Sequence, residues 1–202
     1  MHFLQKFLRL SSAKPVLVLC GLVPFWGLLW AASQDALGAN PAEYLSRATG
    51  DWTLRMLCLT LAVTPLRQWL GWPELARFRR MLGLLSYFYA LLHLLCYSWL
   101  DMGFDWAGTV HDIAKRPFIG VGFSAFVLLT LLAATSWNRA VRWLGGKRWQ
   151  RLHQSVYAIA ALSLLHFFWM RAGKNNFTEV GVYAILITVL MAWRVRLWLA
   201  KN

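Results

Sequence analysis

Hydrophobic positions along the chain gather into long uncharged runs separated by short polar stretches, most of them basic. Residues 152–170 contain no Asp, Glu, Lys or Arg, and neither do residues 81–100. Runs of about 18–20 apolar residues cross the hydrocarbon core of a bilayer as helices. The pattern predicts six such helices, over 15–32, 52–70, 81–100 and 117–137, then from about 152 and from about 180. The second is the least apolar. Arg55 and Arg67 lie near its ends, where long side chains can snorkel, leaving an apolar centre at 56–66. Thr64-Pro65 is expected to kink or end it.

The intervening stretches read as loops. Residues 33–50 are polar, with a turn signal at Asn40-Pro41. Residues 71–80 and 138–151 are basic, the latter with a turn at Gly145-Gly146. Residues 101–116 hold Asp101, Asp105, Asp112, Lys115 and Arg116, a mixed-charge surface where a partner is expected to dock. Arg171 opens a short polar loop that also holds Lys174. A cleaved signal peptide is the rival reading of 15–32, because Leu37-Gly38-Ala39 resembles a cleavage site. The run is longer than the roughly 7–15 residues of a signal core, which favours a retained helix.

Composition narrows the class. Of 202 residues, 59% are hydrophobic and 14% charged, too few charges for a soluble domain. A net charge of +13 on a soluble protein would suggest nucleic acid. Here the charge sorts by side instead. With six crossings, 15 of the 21 Lys and Arg fall on the side of the two termini, and seven of the eight acids fall on the other, leaving Glu74 inside. The positive-inside rule puts the basic side in the cytoplasm. Many of the 13 tryptophans flank the apolar runs, as interface belts do. Cys20, Cys58 and Cys96 lie inside apolar runs with no CxxC spacing, so they read as packing residues. The expected fold is an all-α membrane protein. It is one domain over 1–202, a six-helix bundle in the lipid bilayer with both termini cytoplasmic and no nucleic-acid partner.

Ionisable groups are rare inside membrane helices and default to function. His93 and His166 lie 12 and 14 residues into the third and fifth runs, which are parallel in this topology. Two imidazoles at matched depth suit bis-histidine ligation of haem iron. The plainer reading of each is a hydrogen bond across a helix interface. His153 lies 13 residues before His166, at the inner end of the run. At about 100° per residue the two do not share a face of an ideal helix. His2 and His111 read as ordinary.

Residues 79–93 (RRMLGLLSYFYALLH), 115–118 (KRPF) and 147–169 (KRWQRLHQSVYAIAALSLLHFFW) closely resemble the ferric reductase-like transmembrane family. Within it they are similar to the haem-binding membrane subunits of bacterial periplasmic methionine sulfoxide reductase systems. The resemblance implies a multi-pass protein of the bacterial inner membrane that carries haem b, with two haems expected. Electrons would come from the quinone pool or a cytoplasmic flavin reductase. They would pass to a periplasmic molybdopterin-containing catalytic subunit. FMN is also implied by the resemblance alone.

The wider family pairs four histidines on two helices, and here the position 14 residues before His93 is Arg79. The resemblance therefore implies an inner haem held by His153, with Arg79 facing its other side and suited to pair with a propionate. Arg77 and Arg80 beside it read as positive-inside charges. The chain ends at Asn202 without a flavin and nicotinamide domain, so a separate electron donor is expected. Two readings of other classes stand beside this one: a proton-coupled transporter using the histidines as relays, and a scaffold without cofactor.

Overall fold

A computed structural model describes residues 2–173 and 175–200. Lys174, Lys201 and Asn202, counted among the loop and terminal residues above, lie outside the described residues, as does the side chain of His2. Among the described residues helices joined by short turns make up all the regular structure. In order come α1 (His2–Arg9), α2 (Ala13–Ser33), α3 (Pro41–Leu70), a 3-10 turn Pro73–Phe78, α4 (Arg79–Cys96) and a π-type turn Tyr97–Asp101. Then follow α5 (Trp106–Lys115), α6 (Pro117–Ala134), α7 (Asn138–Leu144), α8 (Gly146–His153), α9 (Val156–Ala172) and α10 (Thr178–Leu199).

Among the described residues, five segments are long and apolar enough to cross a membrane: Ala13–Ser33, Pro73–Asp101, Pro117–Ala134, Gly146–Ala172 and Thr178–Leu199. Along α2 and α10, Leu19, Val23, Trp26, Val182, Ile185 and Val189 are exposed, which suits lipid rather than water. The sixth expected crossing is α3. It has the length, at 30 residues, but not the apolar composition. Its environment explains this. Among its buried residues are Leu54, Met56, Leu57, Leu61 and Val63, together with Thr49, Thr60 and Thr64. A helix that faces protein can carry hydroxyls, whose protons return to its own carbonyls, as Thr60 Oγ1 does to Met56 O at 2.7 Å.

The bounds of α3 correct the loop reading of 33–50. The helix starts at Pro41, because Asn40 caps it, its side chain accepting from Glu43 N at 3.1 Å. It also continues through Pro65 to Leu70 rather than ending at Thr64-Pro65. Proline interrupts only its own backbone bond, which a packed membrane helix tolerates. Residues 101–116 are not a loop throughout either. Asp105 caps α5 by accepting from Gly108 N at 3.0 Å, and Arg116 pairs with Asp112 at 2.8 Å.

The chain forms two compact units, Met1–Phe104 and Asp105–Asn202. In the first, α3 and α4 pack as an antiparallel pair, and α2 joins through Tyr89. That side chain is 0% exposed and donates to Gly21 O at 2.7 Å. Phe25, Trp52 and Phe88 pack around it. Gly21 has no side chain, which lets Leu85 of α4 lie directly over it. Arg77, read above as a bulk charge, has a structural task. It donates to Leu8 O at 3.2 Å and Arg9 O at 2.9 Å, satisfying carbonyls at the end of α1. Glu74 pairs with Arg9 at 2.7 Å.

In the second unit α6 and α9 form an antiparallel pair, with α10 against α9. Arg171 is not a loop residue. It sits in the last turn of α9, 7% exposed, paired with Glu179 of α10 and over the ring of Phe167.

Candidate functional site

His93 lies in the last turn of α4, half-buried. Its Nδ1 is 2.8 Å from Ser46 O on α3. A backbone carbonyl only accepts, so Nδ1 carries a proton and donates it. The ring lies against Gly50, one turn along α3 from Ser46. A Cβ built there would stand 3.3 Å from both Nδ1 and Cε1.

His166 repeats this in the second unit. It lies in α9, half-buried, with Nδ1 2.7 Å from Phe118 O on α6. Its ring rests on Gly122, again four residues past the acceptor. A Cβ there would be 2.7 Å from Nδ1 and 2.8 Å from Cε1. In both, Nδ1 carries a proton, so in the neutral ring Nε2 is the nitrogen left to bind iron. Metal-binding histidines commonly show this arrangement, in which a carbonyl bond fixes the tautomer and ring plane and raises ligand basicity.

His153 is held differently. The fifth run is not one helix, because Gln154 and Ser155 form a turn between α8 and α9. His153 and His166 therefore do not lie on one ideal helix. The His153 ring stacks on Trp149, centroids 3.9 Å apart, and its Nε2 is 3.1 Å from Thr135 Oγ1. Thr135 gives its own proton to Leu131 O at 2.7 Å, so the hydroxyl is the acceptor and Nε2 the donor. Trp149 Nε1 donates to Thr135 O at 2.8 Å and completes the cluster.

Arg79 opens α4, exposed, and its Nη2 donates to Thr64 Oγ1 of α3 at 2.7 Å. It shares a helix with His93, so the basic stretch 71–80 is not a loop to its end. The acceptor carbonyls of Ser46 and Phe118 and the glycines beneath the rings have no counterpart in the sequence reading. The detectable signal was indirect, a glycine in a helix that faces a membrane histidine.

Among the described residues no group of three or more His, Cys, Asp or Glu could hold a bare metal ion. Haem needs only axial donors, since its own nitrogens hold the iron. His93 and His166 fit that need. Each is anchored through Nδ1 to a carbonyl and rests where a Cβ would intrude on the ring.

Known proteins agree in kind. The family described as ferric reductase like transmembrane component matches residues 49–165. A protein-methionine-sulfoxide reductase heme-binding subunit MsrQ from Polaromonas naphthalenivorans is 65% identical over 191 residues, 95% of this chain and 87% of the relative. The protein of the same name from Bordetella pertussis is 50% identical, covering 94% and 91%. That from Ralstonia nicotianae is 52% identical, covering 92% and 86%. No solved structure matches the chain.

Proposed function

This chain belongs to the MsrQ family of ferric reductase-like transmembrane proteins, and on that premise we propose that it is a haem b electron-transfer subunit of the inner membrane. It delivers electrons to a periplasmic molybdopterin-containing protein-methionine-sulfoxide reductase. The donor is the quinone pool or a cytoplasmic flavin reductase, with FMN as a further cofactor. Six crossings, with α3 as the protein-facing one, leave both termini cytoplasmic.

One observation carries the reading: two helix pairs hold a histidine by one kind of bond, from Nδ1 to a backbone carbonyl. His93 and His166 serve as axial ligands through Nε2. His153 serves the inner haem, with Arg79 as its charged neighbour. When bound, haem supplies a one-electron iron couple, and the chain's part is to hold, orient and tune it. Ser46 and Phe118 fix the ligand tautomer.

The visible spectrum of the purified protein tests this. A sharp Soret band should shift on reduction, first with a strong reductant and then with a quinol or a flavin reductase as donor. A colourless but folded preparation would refute the reading. The periplasmic subunit should reoxidise the reduced protein continuously when methionine sulfoxide is supplied to turn it over.

A further inference from the structure

We propose that Gly50 and Gly122 are positioning residues for His93 and His166, holding open a backbone carbonyl that sets each ligand's tautomer and donor strength. The proposal rests on the reading above that these histidines bind haem. In a regular helix the carbonyl of residue i bonds the N–H of residue i+4. Ser46 and Phe118 would therefore pair with Gly50 and Gly122. For a side chain from another helix to reach that same carbonyl, it must cross the surface over residue i+4. With any Cβ there the path narrows. At Gly122 the added carbon would stand 2.7 Å from Nδ1, 2.8 Å from Cε1 and 3.1 Å from Cγ of His166. These atoms belong to a rigid ring held by its own hydrogen bond, so the ring would have to move off Phe118 O. At Gly50 the approach to His93 is 3.3 Å, which a shift of a few tenths of an ångström relieves.

The same glycine position, four residues after the acceptor, recurs in two helix pairs with different neighbours. Packing alone gives no reason for that recurrence. Ring planarity and the need for Nδ1–H to reach a carbonyl do. Other helical glycines lack this role. A Cβ at Gly83 of α4 would make an ordinary contact of 3.8 Å with Thr60, and one at Gly27 of α2 would meet nothing within 4 Å.

The test uses the haem-loaded full chain and the variants Gly122→Ala, Gly50→Ala, Gly83→Ala and Gly27→Ala. Readouts are haem per protein, the g values of the low-spin ferric signal, and the midpoint potential. A weakened Nδ1–H bond makes the imidazole a poorer donor to ferric iron, so the potential should rise. Gly122→Ala should lose part of its haem and show changed g values and a raised potential in what remains. Gly50→Ala should shift both readouts in the same direction by less. Gly83→Ala and Gly27→Ala should match the wild type. If Gly122→Ala does not fold, Gly50→Ala decides. Folded Gly122→Ala and Gly50→Ala proteins with wild-type g values and potential would overturn the proposal. Haem that depends on both histidines but ignores both glycines defeats the positioning role alone. A wild type without haem, or haem indifferent to both histidines, defeats the functional reading itself.

Discussion

In the first unit, Ser46 and Gly50 of α3 meet His93 near one end of an antiparallel pair, and Thr64 meets Arg79 near the other. In the second, Phe118 and Gly122 of α6 meet His166, and Thr135 at the end of α6 meets His153. The order of contacts is the same: carbonyl and glycine under a histidine, then a threonine hydroxyl under a nitrogen donor. The surroundings differ. The first pair is packed by Phe25, Trp52, Phe88 and the fully buried Tyr89. The second buries Ala125, Leu129, Ile159 and Ala160 instead. Features that persist through such different packing point to chemistry, and the end where one pair has Arg79 and the other His153 shows where the two halves part.

The largest expected effect breaks the shared feature. His93→Ala or His166→Ala should each remove about one haem equivalent and stop electron delivery to the periplasmic subunit. Pigment analysis beside the ferric low-spin signal checks this. Full haem content in both variants would mean that the matched carbonyl bonds serve only to join helices. Next is His153→Ala, which should remove a second, inner haem and leave the His93/His166 signal in place. A wild type with a single haem that survives His153→Ala would end the two-haem description. Ligation through Nε2 requires His153 to give up Thr135 Oγ1. Thr135→Val should therefore leave the inner haem bound, whereas a purely structural cluster would be destabilised by that change.

A smaller effect separates the two kinds of packing. Tyr89→Phe removes a buried hydrogen bond to Gly21 O, present only in the first unit, and should cost about 1 kcal/mol. A lowered unfolding midpoint in detergent, with the haem spectrum unchanged, is the expected outcome. An unchanged midpoint would show that the bond adds nothing to holding α2 on α4.

Five of the expected crossings were legible because lipid-facing helices must be apolar nearly all round. The start of α3 was missed although its signal was present. Asn40-Pro41 with Glu43 three residues after the asparagine is a helix-start pattern, but it was read as a turn. That error hid the partner of His93, since Ser46 and Gly50 lie in the stretch taken for a loop. The break at Gln154–Ser155 left no glycine or proline to betray it. The acceptors of Ser46 and Phe118 are main-chain atoms, which no side-chain pattern reports. The histidines themselves stood out, because an imidazole in a charge-free run has few ordinary explanations.

The smallest expected effect concerns Arg79, where the two halves differ. Its guanidinium stays charged and is a poor iron ligand, so it cannot repeat the task of His153. Its bond to Thr64 fixes the stem of the side chain near the start of α4, and a guanidinium has further N–H groups to offer a carboxylate. Arg79→Ala should therefore shift the inner haem's spectrum or potential modestly while the His93/His166 signal stays as it was. Arg77 is the wrong control, because it holds the end of α1 through Leu8 O and Arg9 O. Arg80, exposed one residue further on, is the right one, and Arg80→Ala should leave both haems unchanged. Arg79→His carries the comparison one step further. It restores the histidine that the second unit has at this point, and should move the inner haem toward a six-coordinate low-spin spectrum. If Arg79→Ala and Arg80→Ala behave alike and Arg79→His changes nothing, Arg79 is one more cytoplasmic charge resting on Thr64, and the likeness of the two helix pairs stops at their histidine ends.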